Sequence, residues 1–496
     1  MSDQGSTEAW AVSEVGFDTI IGLEVHAELL TASKMFCACA NQPGASPNNN
    51  VCPVCLGLPG ALPVINERAV ELTALTGLAL NCTINEFSRF DRKNYFYPDL
   101  LKGFQISQYD HPIAVGGWLE VDHAGETFRV GIKRVHLEED TAKLAHGSHP
   151  QSGTPRSLVD VNRAGIPLME VVSDPDIRSP ELARQYLMSL RSILRYLGVS
   201  SGNMEEGSFR CDANISVRRS GSQTLGTKVE IKNLNSFRSV FRALAYEVER
   251  QVAAVHQGER IVQETRGWDD NRGVTVIQRT KGHAHDYRYF PEPDLPPLAL
   301  TLTWSSALRQ ALPELPRRRR DRFGSELGLL ANDAELLTED RATADYFESV
   351  IRLGQPPKLV ANWLSGELFR LLNAAGLTID KSPVAPDGLA GLLIQIQSGA
   401  ISQLAAKDVL ETMFRTGGTA SAIIDRMGLS QISDSSSLER LVDEAIAGNP
   451  KSVADYASGK AQALGFLVGQ VMKASKGRAN PGKVNDLLKA RLPGTS

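Results

Sequence analysis

Four segments alternate apolar and ionisable residues with a period of two, and that alternation constrains the fold more than any other feature of these 496 residues. Successive side chains of a β-strand point to opposite faces, so a period-two pattern tells which residues share a face. In 20–30, Ile21, Leu23, Val25, Ala27 and Leu29 line one face and Glu24, His26 and Glu28 the other. In 208–218, Phe209, Cys211, Ala213, Ile215 and Val217 alternate with Arg210, Asp212 and Asn214. In 228–232, Val229 and Ile231 alternate with Lys228, Glu230 and Lys232. In 128–140, Arg134, His136 and Glu138 share a face before Glu139 and Asp140 leave the pattern. Such strands predict an antiparallel sheet, packed on helices through one face and solvated and charged on the other. The segment RSGSQ (219–223) predicts a hairpin turn between two of them. With that turn centred on Gly221, Asp212 falls opposite Glu230 and Arg210 opposite Lys232. Like charges facing across a ladder are destabilising. A divalent cation bridging Asp212 and Glu230 removes that cost, and hard carboxylate oxygens suit Mg²⁺. One charged face alone reads as an ordinary solvated surface. Four that contribute acids, two with a His beside a Glu, favour a site, and His26 is a ligand candidate as the neighbour of Glu24.

Outside these strands the pattern is mixed up to about 290 and almost wholly helical beyond. A helix is predicted over 180–197, with Ser179 as N-cap, Pro180 in the first turn and Gly198 as the stop. A second runs from near Ser236 to before Gly258. The Pro-rich PEPDLPPLAL (291–300) reads as a linker or domain seam, KSPVAPDGLAG (381–391) as a break within the helical half, and 1–16 as a tail. Hydrophobic residues at 42% and charged residues at 22% are ordinary for a packed globular chain. The most apolar stretch, LAGLLIQIQSG (389–399), is far short of the roughly 20 residues a bilayer requires. The polar, acidic start lacks the basic and apolar regions of a secretory signal. These features predict a soluble, cytoplasmic protein without a membrane partner. The formal net charge of −4 hides a basic end: residues 451–496 carry eight Lys/Arg against Asp455 and Asp486, a net of +6. Residues 325–348 hold seven acids and only Arg341 as a base. A basic terminus suggests a polyanion partner, and a solvated helix face explains it equally well.

Six cysteines are too few for a disulfide scaffold in a chain this long. Cys82 and Cys211 sit in apolar contexts and read as small core residues. Cys37, Cys39, Cys52 and Cys55 form a C-x-C…C-x₂-C set, which is what tetrahedral Zn²⁺ takes. A full Cys₄ shell leaves no open position, so that zinc is expected to be structural. Other chemical motifs fail. Gly477–Val484 nearly matches a P-loop, but Val484 has no hydroxyl for Mg²⁺ and no strand precedes it. The chain has no G-x-S-x-G elbow and no H-E-x-x-H helix. His136-Leu-Glu138 resembles the deaminase H-x-E, but its Cys pairs come first and lack the P-C-x-x-C form. Chemistry here therefore rests on metal, charge and positioning rather than on a covalent nucleophile.

Longer motifs can then be matched: IGLEVHAEL (21–29), CPVCLGLPGALPVIN (52–66), DRKNYFYPDLLKGFQISQ (91–108), HLEEDTAK (136–143), DVNRAGIPLMEVVSDPD (160–176), EEGSFRCDANISVR (205–218), EIKNLNSFR (230–238), HDYRYFPEPDLPP (285–297) and KGRANPGKVNDLL near the C-terminus. From about residue 17 onward the chain resembles the GatB family of the tRNA-dependent amidotransferases. The resemblance implies an α+β cradle with a glutamine-synthetase-like catalytic sheet over 17–297, a helical domain over 298–405 and a basic helical tail domain over 406–496. It implies ATP- and Mg²⁺-dependent phosphorylation of the side-chain carboxylate of Glu-tRNA(Gln), and in many organisms of Asp-tRNA(Asn). Ammonia from a partner amidase (glutaminase) subunit then displaces the phosphate, and a heterotrimer is completed by a small third subunit. By motif match, Glu24, His26, Glu138, Glu139, Glu206, Asp212 and Glu230 become metal and ATP-site candidates. Arg210 and Lys232 become holders of phosphate oxygens, and Lys93, Asn94 and Tyr95 cofactor- and substrate-side residues. The competing class is a zinc-stabilised, non-catalytic RNA-binding protein. Against it, an RNA-binding face should carry Lys and aromatics rather than carboxylates that repel phosphate.

Overall fold

A computed structural model describes residues 16–42, 44–148, 152–280, 287–429, 435–460, 462–475 and 479–492. Most of the expected tail, 1–15, and the basic residues Lys476 and Arg478 lie outside the described residues. The chain divides into two compact units between Leu315 and Pro316.

The first unit is built on a nine-stranded sheet. Its strands are Phe17–Glu28 (β1), Thr83–Ile84 (β2), Ala114–His123 (β3), Glu126–Glu139 (β4), Pro167–Ser173 (β5), Phe209–Arg219 (β6), Val229–Leu234 (β7), Glu264–Asp269 (β8) and Val274–Thr280 (β9). The spatial order is β9-β8-β7-β6-β1-β5-β4-β3-β2, which puts the first strand near the middle. Neighbours are antiparallel except β7 and β8, which are parallel. A parallel pair needs a crossover, and the helix Phe237–His256 supplies it. This helix (α3), with Glu67–Ala79 (α1) and Pro180–Tyr196 (α2), covers the apolar face. Leu72, Tyr186, Leu190, Val240 and Leu244 pack there with Ile21, Leu23, Val25, Phe209 and Ile231. The expected cap forms, Ser179 Oγ accepting from Leu182 N–H at 3.1 Å, and Ser236 Oγ likewise caps α3, accepting from Ser239 N–H at 3.0 Å. Cys82 and Cys211 are core residues, as expected.

Three expectations need correction. The register between β6 and β7 differs: Asn214, not Asp212, faces Glu230. The turn is centred beyond Gly221, and a bulge then follows at Asn233, whose φ of 64° lets the strand slip before Cys211 pairs with Leu234. Lys232 is thereby brought to Asp212, its Nζ 2.5 Å from Oδ2, so the expected facing of Asp212 and Glu230 does not arise. Second, the charged face is not open to solvent at its centre. The strand Phe104–Ser107 and Gln108 lie across the end of β4, where Leu137 N–H donates to Gln108 Oε1 at 3.0 Å. Third, 291–300 is not a linker. Phe290–Pro291 pairs with the strand Asp91–Asn94, and Leu298–Ala299 with Phe87–Ser88. Arg92 grips Glu292 through two bonds of 2.7 and 2.8 Å. Trp304, Leu308, Leu312 and Leu315 continue the same core, so the seam lies at 315/316 rather than 297/298.

The second unit is helical. The expected division at 405/406 falls inside the helix Gln403–Thr416, which packs on Pro386–Gln397 and Ala420–Met427. A separate apolar cluster, around Leu438, Val442, Leu467, Val471, Val484 and Leu488, holds the last helices together. Among the described residues no helix is long and apolar enough to cross a membrane.

Candidate catalytic face and thiolate cluster

The register of β1 sets the site. His26 lies opposite Arg210 on β6 and Glu170 on β5, and Glu170 lies opposite His136 on β4. Glu24 lies opposite Asp212. Side chains alternating at these positions must all emerge on one face. His26 Nε2 is 3.5 Å from both Glu138 Oε1 and Glu170 Oε2, and His136 Nε2 is 3.2 Å from Glu170 Oε2. His26, Glu138 and Glu170 each offer a ligand atom within 4.8 Å of the others, the spacing a single cation can span. Ser107 Oγ donates to Glu138 at 3.3 Å, and among the described residues the buried His136 Nδ1 has no hydrogen-bond partner. One strand away, Asn214 Nδ2 donates to Glu24 at 2.9 Å, while Thr265 Oγ1 donates to Glu230 at 2.7 Å.

Burial and charge set the protonation of this face. Burial pulls the His26 imidazole down, but the carboxylates of Glu170 and Glu138 outweigh it and carry the pKa up to about 9. Burial likewise works against the Glu170 anion, and His136 and His26 nevertheless hold it well below the ordinary carboxylate range. At Glu24 the attraction of His26 is outweighed. Burial, then the charges of Glu170 and Asp212, push it up. Carboxylates crowded in this way suit a divalent cation.

The remaining candidates scatter. Arg210 Nη2 is 3.0 Å from Asp140, which also binds Arg163 Nε at 2.7 Å. Lys232 lies between Asp212 and Glu230, 3.3 Å from the latter. Both expected phosphate holders are thus engaged with carboxylates. Glu139 turns away from the cluster, pairing with Lys102 and accepting from Ile106 N–H at 3.0 Å. Asn94 bonds backbone carbonyls of Tyr287 and Arg288 at 3.2 and 2.8 Å. Lys93 Nζ lies 5.2 Å from the Tyr287 ring centre and 5.9 Å from that of Tyr95. Burial opposes the Lys93 ammonium, yet Glu138 keeps its pKa above the usual value. Glu206 is exposed on a turn outside the sheet. Sequence reasoning missed Glu170. It is the one acid in PLMEVVS, whose apolar neighbours on both faces hide the alternation.

Cys37, Cys39, Cys52 and Cys55 do come together, their sulfurs all within 4.8 Å of one another and none in a disulfide. Tetrahedral Zn–S bonds of about 2.3 Å set sulfurs about 3.8 Å apart. Cys52 Sγ and Cys55 Sγ are 3.9 Å apart, and Cys52 N–H donates to Cys55 Sγ at 3.0 Å. The hydrogen bond from Cys37 holds the Cys55 thiol down at about 4, and the same bond holds the Cys37 thiol up. A metal such as zinc fits this quartet.

Fold and site together define a class: an α+β protein with a cation-ready acid–imidazole sheet face, a separate Cys₄ cluster and a helical C-terminal unit. Residues 19–306 match the family described as GatB/GatE catalytic domain, and residues 345–492 match the GatB domain. The chain is 56% identical to the B subunit of the aspartyl/glutamyl-tRNA(Asn/Gln) amidotransferase of Moorella thermoacetica, over 96% of this chain and 100% of that protein. It is 56% identical to the protein of the same name from Thermomicrobium roseum and 53% to that of Thermoanaerobacter pseudethanolicus, each over 96% of this chain and 99% of the relative. The chain belongs to the GatB family.

Proposed function

We propose that this chain is the phosphorylating and transamidating component of a glutamine-hydrolysing aminoacyl-tRNA amidotransferase, assembled with an amidase and a small third partner into a heterotrimer. Its substrates are then Glu-tRNA(Gln) and Asp-tRNA(Asn), amidated after ATP activates the side-chain carboxylate. In this proposal the Cys₄ zinc is structural and the protein cytoplasmic.

The observation that carries the reading is the His26–Glu138–Glu170 cluster, its two acids buried, flanked by Glu24 and Asp212. His26, Glu138 and Glu170 would hold one Mg²⁺, with Glu24 and Asp212 adding negative charge beside it. Bound there, Mg²⁺ neutralises charge on the transferring phosphoryl group, which makes positioning the protein's main task. His136 fixes the Glu170 carboxylate, Ser107 fixes Glu138, and the strand across the end of β4 limits the access of water. Lys93 offers a cation beside Glu138 for the substrate carboxylate.

The test is to incubate the assembled trimer with ATP, glutamine and each misacylated tRNA, following ADP and amide formation. The expected result is ADP release that depends on misacylated tRNA and stops in Glu170→Gln. Amide formation without ATP consumption would sink the reading.

A further inference from the structure

Lys34 is fully buried, and the chemistry above makes no use of it. Its ammonium donates to two backbone carbonyls, Asn50 O at 2.8 Å and Val161 O at 3.2 Å. An ammonium has three N–H donors, and among the described residues no carboxylate pairs with this one. A buried cation is costly unless an anion offsets it. What surrounds Lys34 is the Cys₄ quartet. Its backbone N–H donates to Cys39 O at 3.0 Å, which closes the loop carrying Cys37 and Cys39. Asn50, the first carbonyl that the side chain grips, stands two residues before Cys52. A Cβ placed on Gly165 would lie 3.6 Å from Lys34 Cδ and 3.8 Å from Cys55 Cβ, so the two side chains flank the same glycine. The Lys34 charge reaches that thiol, adding to the larger effect of the hydrogen bond from Cys37 in holding its pKa down. One residue thus holds both Cys-bearing loops, the first through its backbone and the second through its side chain. Val161 ties in a third segment, 161–165, whose Gly165 O accepts from Met35 N–H at 2.7 Å.

We infer that Lys34 is a positioning residue of the Cys₄ metal centre, whose buried ammonium clamps the two Cys-bearing loops together and offsets the charge of the tetrathiolate. Four thiolates around Zn²⁺ leave a net charge of about −2. Water screens that charge poorly here, since Cys55 is buried and Cys37, Cys39 and Cys52 are only partly exposed. Groups that bond and orient a metal's ligands tune its affinity. The inference rests on the quartet holding zinc, and it goes beyond that reading by naming the cation that balances the site. A lysine that served packing alone would act equally with and without the metal.

The test is competition titration of Zn²⁺ on the full chain against a chromophoric chelator, together with thermal unfolding of zinc-loaded and zinc-stripped chains. Lys34→Met, which keeps the length and apolar stem of the side chain, should weaken Zn²⁺ about 10- to 100-fold. Lys34→Gln retains two N–H donors for the carbonyls but no charge. It should lose about as much, and it serves where Lys34→Met does not fold. Each substitution should lower the thermal midpoint more in the loaded chain than in the stripped one. An equal fall in both, with Zn²⁺ affinity within about twofold of the parent, makes Lys34 a backbone clamp only and overturns the inference while zinc binding stands. Parent-like Zn²⁺ affinity in Lys34→Gln also overturns it, because the carbonyl bonds alone then suffice. A folded parent chain that takes up no Zn²⁺ overturns the inference together with the zinc reading.

Discussion

At position 170 one carboxylate meets two imidazoles, and the geometry gives each partner a different task. His136 is buried behind Glu170 and can only orient it, whereas His26 also faces Glu138. Glu170→Gln keeps the shape and removes the charge, so Mn²⁺ affinity, read by electron paramagnetic resonance, should fall at least about tenfold. His136→Asn should give a smaller loss, because the ligand remains and only its orientation is relaxed. An unchanged Mn²⁺ affinity in Glu170→Gln would remove that residue from the metal site. The cysteines behave differently, since binding free energy at a closed thiolate site is folding free energy. Cys52→Ser should lower zinc content and the thermal midpoint together. Full stability with lost turnover would instead make that metal catalytic. The quartet was legible because spacing alone encodes a Cys₄ site. Glu170 was not, because a single acid in an apolar strand signifies nothing until the register names its neighbours.

Elements carry the next layer of information, and their pairing was the hardest to read. The alternation in β1, β4, β6 and β7 identified each strand's faces correctly. Register could not follow, because it depends on the turn's centre and on the bulge at Asn233, and one left-handed residue leaves no periodic trace. Asn tolerates that backbone, whereas a β-branched side chain there is strained. Asn233→Gly should be nearly neutral, and Asn233→Val should cost about 1–2 kcal/mol in urea unfolding and loosen Lys232 from Asp212. The crossover helix α3 supplies a pH test. Its Glu247 is fully buried, bonded twice by Arg250 at 2.9 Å and once by Thr275 Oγ1 at 2.5 Å. Burial disfavours its charge, but these donors win and lower its pKa from 4.5. A depressed carboxyl contributes stability above its unfolded value, and that contribution is lost as pH falls through the folded value. Glu247→Gln should therefore cost about 3 kcal/mol at pH 7, with the gap to the parent closing below pH 4. An equal gap at both pH values would show that the effect is packing rather than charge.

Across the whole molecule, fold class was readable from the shift between alternating and helical text, while the seam was not. Pro-rich sequence looked like a linker, yet its buried Leu295 and Leu300 belong to the first unit's core. The basic end also changes meaning once neighbours are seen. Arg491 is paired with Glu439 and Asp443, and Lys460 with Asp455 at 2.9 Å. The acidic stretch 325–348 does not wait for the tail, since Glu348 is held by Arg319, Arg322 and Arg352. The bases left over favour a polyanion, so truncation after 405 should flatten the salt dependence of tRNA affinity and raise KM more than it lowers kcat. An unchanged slope would place tRNA binding elsewhere. The position of β1 has a further consequence, for synthesis. Leu23 N–H bonds Ser173, 150 residues later, and Asn214, 190 residues later, bonds Glu24. At about 5–20 residues per second, a ribosome leaves the apolar face of this strand uncovered for about 8–30 seconds before the first of these partners emerges. The strand that organises the candidate face is therefore also a part of the nascent chain that a holding chaperone would protect.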